Sequence, residues 1–315
     1  MIPNELKIAH VGVPRSCTRS IRELLMRNLD RGIGINTPDE AKNLAKIDNG
    51  RMVGCFNLIS GHFAYEGDIN IPRCFKYITV LRNPVDRVLS TYNFFNSPTG
   101  SSHGAAKAMK EKNMTFLDLI HSQDPTIFYW VHSNTMFMGG VGTQTAHLDM
   151  DYWLDKALYN LQFNFDFVGI ADRLDDTVYA LNKKYGIKGK VKQLGKTPDD
   201  KKYEPSDEEI ETAKHILRCD IILYNYAKKL FNETYNEFVK KYFSTPDRKW
   251  LIQNMTTNEL KTCGCLGVSE SLSRSTDLID KGFCAPCSKC NRIVCTRCVM
   301  PNGCIVCSLV ETDDN

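Results

Sequence analysis

The chain has 315 residues, of which 42% are hydrophobic and 24% are charged, so it can form one large domain with a buried core and a smaller appendage. A net charge of +3 gives no support for nucleic-acid binding. No apolar run approaches the roughly 18 residues of a membrane span, and the first residues lack the basic and apolar regions of a signal peptide. We therefore expect a cytoplasmic or otherwise soluble protein with no nucleic-acid partner and no membrane span.

Three short apolar runs, each followed by a helical pattern, indicate the fold class. The runs are residues 7–13 (KIAHVGV), 75–82 (FKYITVLR) and 165–172 (FDFVGIAD), and each is typical of a buried strand. Asn83, a natural helix cap, follows the second run, and one long amphipathic pattern begins after the capping residue Ser206. Strands that alternate with helices predict an α/β fold whose mostly parallel central sheet is flanked by helices.

Two of the predicted strand–helix junctions carry side chains that bind anions. Ligands of such sheets bind at the carboxyl ends of strands, where a helix N-terminus offers free N–H groups and a positive dipole. The first junction, VPRSCTRS, supplies hydrogen-bond donors at Arg15, Ser16, Thr18, Arg19 and Ser20, and the second, RNPVDRVLS, supplies Arg82 and Ser90. The first junction alone fits a capped helix with a solvated turn equally well. Two junctions in one sheet, however, suit a ligand with phosphates at two ends.

The cysteines are concentrated after residue 250. Nine of the 13 lie there, at Cys263, Cys265, Cys284, Cys287, Cys290, Cys295, Cys298, Cys304 and Cys307. Their C-x-x-C spacing is typical of thiolate zinc sites, although disulfides or an iron–sulfur cluster remain alternatives. Helical periodicity is lost at about the same place. We therefore predict two domains, residues 1–250 and a cysteine-rich, zinc-binding module at 251–315 that stabilises the protein or docks a protein partner.

Five segments resemble, in the same order, segments of the sulfotransferases that use 3′-phosphoadenosine 5′-phosphosulfate (PAPS). They are VPRSCTRSI, ISGHFAYEG, ITVLRNPVDRVLSTYNFF, FDFVGIADRLDD and LRCDIILYNYAKKLF, which together span roughly residues 7–243. The resemblance is to the membrane-type glycan group, which contains the heparan sulfate 2-O- and 6-O-sulfotransferases. The Arg-Asn-Pro-x-x-Arg-x-x-Ser block is the most specific of these matches. The resemblance implies a P-loop-like sulfotransferase fold for the main domain.

The same resemblance implies transfer of a sulfuryl group from PAPS to a hydroxyl, usually of a carbohydrate, with adenosine 3′,5′-bisphosphate (PAP) as product. Sulfuryl transfer is an in-line displacement that requires donor alignment, a base for the hydroxyl and positive charge at the departing phosphate. His62, in the Gly-His-Phe segment, is the candidate base, and its ordinary pKa near 6.5 suits that role. Arg15 stands where the family has a catalytic Lys and would stabilise the leaving phosphate oxygen.

The resemblance also assigns the nucleotide contacts. The first loop, with its residues Arg15, Ser16, Cys17, Thr18, Arg19 and Ser20, would hold the 5′-phosphosulfate. Arg82 and Ser90 would bind the 3′-phosphate, and Lys196 and Thr197 resemble a late loop that closes over the nucleotide. Asn134 resembles a residue near the acceptor.

The first loop departs from the family pattern, which is Pro-Lys-Thr-Gly-Gly-Thr-Ser. Arg15 replaces the Lys, Cys17 and Thr18 replace the two glycines, and Arg19 replaces the second Thr. These differences leave open a catalytically weakened binding or adaptor protein with a zinc tail. A phosphoryl-transfer enzyme of the P-loop type is a weaker alternative, because the sequence lacks G-x-x-x-x-G-K-[ST].

Overall fold

The computed structural model describes residues 6–46, 52–67, 69–101, 103–141, 149–191 and 202–243, together with four short strands between residues 284 and 304. Contacts between residues divide the chain into two units, Met1–Tyr235 and Asn236–Asn315. The predicted domain boundary near residue 250 lies outside the described residues, so it stays a prediction.

The first unit contains a five-stranded sheet. Its strands are β1 (Ile8–Val11), β2 (Gly32–Ile35), β3 (Leu58–Gly61), β4 (Lys76–Leu81) and β5 (Phe165–Ile170). The order is β2-β3-β1-β4-β5, and every neighbouring pair is parallel. This confirms the predicted α/β class with a parallel central sheet. The sequence indicated only β1, β4 and β5, because β2 and β3 have four residues each and contain glycine.

Eleven α-helices occur in the described part of the chain up to residue 243. They are α1 (Thr18–Met26), α2 (Pro38–Lys46), α3 (Pro84–Asn96), α4 (Gly104–Glu111), α5 (Phe116–His121), α6 (Pro125–Val131), α7 (Ser133–Gly139), α8 (Met150–Phe163), α9 (Leu174–Tyr185), α10 (Asp207–Ile216) and α11 (Arg218–Phe243). The expected caps are present, since Asn83 Oδ1 accepts from the N–H of Val85 at 3.0 Å and Ser206 forms a capping box with Glu209.

The predicted single amphipathic helix after Ser206 is wrong, because it is two helices, α10 and α11. Leu217 separates them with φ −88° and ψ 19°. On α11 the fully buried Asp220 accepts from the N–H of Thr135 at 3.0 Å and lies 3.2 Å from His132 Nδ1. These contacts tie α11 to α7, and the sequence pattern carries no sign of them.

Helices α3 to α6 and α10 enclose a second apolar core beside the sheet. Its fully buried side chains include Val88, Phe95, Phe116, Leu119, Ile127 and Leu217. Trp130 packs on the edge of this core, with its ring 5.2 Å from that of Phe95. This packing holds α3 and α6 in fixed positions next to the carboxyl ends of β1 and β4.

The four strands of the cysteine-rich segment form two antiparallel pairs. Strand β6 (Cys284–Pro286) pairs with β7 (Ile293–Cys295), and β8 (Val299–Met300) pairs with β9 (Gly303–Cys304). The backbone register places Cys284 opposite Cys295. The other predicted ligands lie outside the described residues: Cys263, Cys265, Cys287, Cys290, Cys298 and Cys307. The zinc site therefore stays a prediction.

Candidate active site

The two predicted anion-binding junctions meet in space. Strands β1 and β4 are neighbours, so the loop after β1 and the residue after β4 lie at one edge of the sheet. Arg82 Nη1 donates to the main-chain oxygen of Arg15 at 3.4 Å, and Arg15 Nε donates to Ser90 Oγ at 3.0 Å. These side chains border a cavity of about 300 Å³. We call it the cationic cavity, and its lining residues are Pro14, Arg15, Cys17, Thr18, Arg19, Ser20, His62, Arg82, Ser90, Phe94, His103, Trp130 and Lys202.

The charge of this cavity is one-sided. Four of its lining residues, Arg15, Arg19, Arg82 and Lys202, are cationic, and none of the described residues that line it is Asp or Glu. Burial, together with the neighbouring charge of Arg82, lowers the pKa of Arg15 below its usual value. The Arg15 guanidinium also lies over the ring of Phe94, 4.8 Å from its centroid. Two desolvated guanidinium groups repel each other, and a bound anion would relieve that repulsion.

The loop after β1 keeps a tight backbone conformation without glycine at its bends. Arg15 and Cys17 have φ of 64° and 59°, in the left-handed region that favours glycine. Cys17 directly precedes α1, where one of the family's glycines is replaced. Gly12 is required just before the loop, because a Cβ there would lie 2.1 Å from Thr18 Cγ2. A non-glycine residue in this conformation costs about 1–2 kcal/mol, so the substitutions leave the loop strained.

The predicted loop ligands do not all face the cavity. Ser16 is fully buried, does not line the cavity and has no hydrogen-bond partner for its hydroxyl among the described residues. Thr18 lines the cavity, but its hydroxyl donates to the main-chain oxygen of Val13 at 2.7 Å. Arg19 is exposed and pairs with Glu23 across 3.4 Å. Arg15, Ser20 and the start of α1 line the cavity.

His62 has the hydrogen bonding of a neutral base. It follows β3 directly, and its Nδ1 lies 2.6 Å from the main-chain oxygen of Gly12. A carbonyl oxygen only accepts, so Nδ1 carries the proton and Nε2 is left as the acceptor of a neutral ring. Burial lowers the pKa of His62 to about 4, below the value near 6.5 expected from the sequence, so the ring is neutral at pH 7 but is a weaker base than expected.

A second cavity, of about 330 Å³, adjoins the first and shares Pro14, His62, His103 and Trp130 with it. We call it the aromatic cavity, and its other lining residues are Asn36, Thr37, Gly104, Ala105, Thr126, Tyr129 and Phe137. His62 thus lies between a cavity suited to anions and a cavity whose described lining has no Lys, Arg, Asp or Glu. A base for the acceptor hydroxyl requires this location.

Asn134 lies elsewhere than predicted. It is fully buried, lines neither cavity, and its Nδ2 donates to the main-chain oxygen of Arg82 at 3.2 Å. The amide therefore positions the residue that borders the cationic cavity. An acceptor contact for Asn134 has no support in this geometry, because its side chain is enclosed by protein.

Arg87 is a buried positioning residue that the sequence analysis missed. Its Nη1 donates to the main-chain oxygen of Trp130 at 2.7 Å and to Ser133 Oγ at 2.6 Å, and its Nη2 donates to the main-chain oxygen of Val131. These bonds satisfy the carbonyl groups at the end of α6 and so hold Trp130 between the two cavities. The only feature of the sequence that could have indicated this role is the position of Arg87 at the end of the Arg-Asn-Pro-x-x-Arg block.

Other cavity residues come from distant parts of the chain. Lys196 and Thr197, the predicted late loop, lie outside the described residues, but Lys202 lines the cationic cavity. The next residue, Tyr203, donates its N–H to Asn93 Oδ1 on α3 at 2.8 Å. Basic residues just before this anchored point were the available signal. The sequence carried no such signal for Phe94, His103 and Trp130, because aromatic side chains more often belong to the buried core than to a binding site.

The chain belongs to the sulfotransferase family, whose model matches residues 1–243. Among solved structures it is similar to the crystal structure of mouse sulfotransferase SULT7A1 complexed with PAP, with 17% identity and a TM-score of 0.32 over 80% of this chain and 89% of the mouse chain. No curated protein matches the chain. None of the helices in the described ranges is both long and apolar enough to cross a membrane. The assignment rests on the family match, which covers both junctions and His62.

The strain at Cys17 can be measured with a pair of variants. We expect Cys17→Gly to be more stable to urea than Cys17→Ala by about 1 kcal/mol. Glycine removes the cost of the left-handed conformation, and its larger conformational entropy in the unfolded state offsets only part of this gain. Both variants lack the thiol, so the difference reports only the backbone. Equal stability, or a more stable alanine variant, would show that the loop is unstrained.

Proposed function

We propose that this protein transfers the sulfuryl group of PAPS to a carbohydrate hydroxyl by in-line displacement, with His62 as the base. The observation that carries the proposal is the position of His62. It borders both the cationic and the aromatic cavity, and its Nδ1–H donates to Gly12, which leaves Nε2 to accept a proton. Family membership supports the reaction class, and the particular acceptor and donor are our inference.

The residues of the cationic cavity fit a donor with phosphates at two ends. Arg15, Arg82 and Lys202 provide positive charge, none of the described lining residues is a carboxylate, and the N-terminus of α1 opens onto the same space. PAPS, when bound, supplies the activated sulfuryl group. Arg15 and Ser20 would hold the 5′-phosphosulfate end, and Arg82 with Ser90 would hold the 3′-phosphate, which ordinary adenine nucleotides lack.

Each step that the protein performs can be assigned to a residue. His62 Nε2 accepts the proton of the acceptor hydroxyl while its Nδ1–H stays bonded to Gly12. Arg15 stabilises the negative charge that develops on the departing phosphate. Because an arginine stays protonated, it stabilises this charge as a cation and does not transfer a proton to the departing phosphate. Trp130, held by Arg87, closes the boundary between the two cavities.

A second candidate is a binding protein with weakened catalysis, which two features of the loop favour. The left-handed conformations of Arg15 and Cys17 are strained, and the Ser16 hydroxyl does not reach the cavity. Such a protein would bind the nucleotide without turnover and could dock a partner through its cysteine-rich segment. Loss of that partner when residues 251–315 are deleted, with nucleotide binding retained, would favour this candidate.

Nucleotide preference tests the donor. We expect PAP at 100 times its Kd to stabilise the protein by about 2.7 kcal/mol, which raises the melting temperature by about 5 °C or more. ADP at the same concentration should have a much smaller effect, because it lacks the 3′-phosphate. Arg82→Gln should remove the difference between PAP and ADP. A larger shift with ATP or ADP than with PAP would refute a PAPS-type donor.

Two variants of His62 separate its catalytic role from its structural one. In His62→Asn the amide replaces Nδ1–H and keeps a donor to Gly12, whereas His62→Ala loses both the donor and the base. We expect both variants to lower transfer of radiolabelled sulfate from PAPS to glycans by about 10²–10⁴-fold. PAP binding should survive in the asparagine variant. If that variant kept more than a tenth of wild-type transfer, His62 would not be the base.

The role of Arg15 is tested with one variant that keeps the positive charge and one that removes it. We expect Arg15→Lys to keep transfer within about tenfold of wild type, because an ammonium supplies the same charge, whereas Arg15→Met should lower kcat by about 10²–10³-fold. Kinetics at saturating PAPS measure this effect separately from weaker donor binding. Equal rates for the two variants would show that positive charge at this position does not stabilise the transition state.

A further inference from the structure

The aromatic cavity differs in charge from the cavity beside it. None of its lining residues in the described ranges is Lys, Arg, Asp or Glu, whereas the adjoining cationic cavity has four cationic residues. His62, on the boundary, is neutral at pH 7 because burial lowers its pKa to about 4. Among the residues that the structure describes, the lining of this cavity therefore offers no Lys or Arg that could pair with a carboxylate or a sulfate.

Two charged side chains near the cavity, Arg22 and Glu40, are both bonded to its lining residue Asn36. Arg22 Nη1 donates to Asn36 Oδ1 at 2.8 Å, and Glu40 Oε2 accepts from the N–H of Asn36 at 2.8 Å. Neither Arg22 nor Glu40 lines the cavity. Arg22 is thus held at Asn36 beside Glu40, although its positive charge still contributes to the lowered pKa of His62.

The lining of the aromatic cavity combines two kinds of side chain. Tyr129, Trp130 and Phe137 supply aromatic surface, and the ring centroids of Tyr129 and Phe137 are 5.1 Å apart. Asn36, Thr37 and Thr126 carry uncharged hydroxyl and amide groups. Aromatic surface together with a few uncharged hydrogen-bonding groups suits a sugar ring, which has an apolar C–H face and an equatorial rim of hydroxyls.

The volume limits the size of the group that enters. At about 330 Å³ the cavity holds on the order of ten water molecules, taking about 30 Å³ for each. This space accommodates one sugar ring or a little more. A long polymer would have to leave most of its length outside it.

We propose that the acceptor site selects an uncharged sugar ring, so that the group beside the reacting hydroxyl is neutral. This inference rests on the proposed sulfotransferase function and narrows it, because a chain rich in uronate and sulfate, such as heparan sulfate, would place anionic groups against a wall without a counter-charge. Desolvation of an unpaired carboxylate is strongly unfavourable. The four cations nearby do not offset it, since the donor's phosphates occupy them.

A matched pair of ligands tests the proposal. p-Nitrophenyl β-glucoside and p-nitrophenyl β-glucuronide differ only at C6, where the glucuronide has a carboxylate in place of the hydroxymethyl group. Their binding to the PAP-saturated protein is measured by titration calorimetry, which needs no turnover. We expect the glucoside to bind at least about tenfold more tightly, the factor that 1.4 kcal/mol provides. Tighter binding of the glucuronide, equal binding, or binding of neither ligand would overturn the proposal.

Transfer assays with the same two ligands keep this inference separate from the proposed function. Selective glucoside binding without sulfation at any hydroxyl would refute catalysis while supporting the neutral acceptor site. Sulfation of the glucuronide in preference to the glucoside would support catalysis and refute the neutral site.

One substitution should change the preference in a defined direction. Thr126 is an exposed lining residue at the start of α6, and its backbone N–H, which donates to Asp124 Oδ1 at 3.0 Å, is unaffected by a new side chain. We expect Thr126→Lys to raise glucuronide affinity relative to glucoside by about two- to fivefold, as for an exposed ion pair. Thr126→Gln, of similar length but uncharged, is the control and should leave the ratio unchanged. No change with lysine would overturn the proposal, because the sugar's C6 group would then lie away from this cavity.

Discussion

The parallel pairing of β1 with β4 is the constraint on which the site depends. Val11, the last residue of β1, pairs with Thr79, whose hydroxyl also donates to the main-chain oxygen of Val11 at 2.8 Å, and β4 continues from there to Leu81. The loop after β1 and the residue after β4 then converge, which brings Arg15 and Arg82 together. Their repulsion in a partly desolvated cavity is the electrostatic reason for an anion to bind there. The sheet thus determines the charge of the site as well as its position.

The boundary between the two cavities is where this fold separates two kinds of recognition. On one side charge dominates, and on the other side shape and uncharged hydrogen-bonding groups do. His62 and Trp130 lie on the boundary. The ring of His62 is bonded to the main-chain oxygen of Gly12, and the main chain of Trp130 is bonded to Arg87. A histidine ring held in this way can meet a reacting hydroxyl without reorganising, which favours efficient proton transfer.

The first loop shows that a backbone conformation can persist when the residues that favour it are replaced. Arg15 and Cys17 adopt the left-handed conformation that glycine would take at little cost. Surrounding contacts maintain it, including the bond from Thr18 Oγ1 to Val13 and the close packing of Gly12 against Thr18. The conformation lowers the stability of the loop, and backbone strain of this kind is most often found at functional sites.

The sequence by itself determined the features that depend on near neighbours along the chain. Strands β1, β4 and β5, the cap at Asn83 and both anion-binding junctions follow from periodicity and from the chemistry of helix ends. Only the tertiary structure placed β2 and β3, buried Asn134 behind Arg82, turned Ser16 away from the cavity and assembled the aromatic cavity from the segment after β2 and from α4, α6 and α7. These outcomes depend on contacts between residues far apart in the chain, where burial and packing outweigh any local preference.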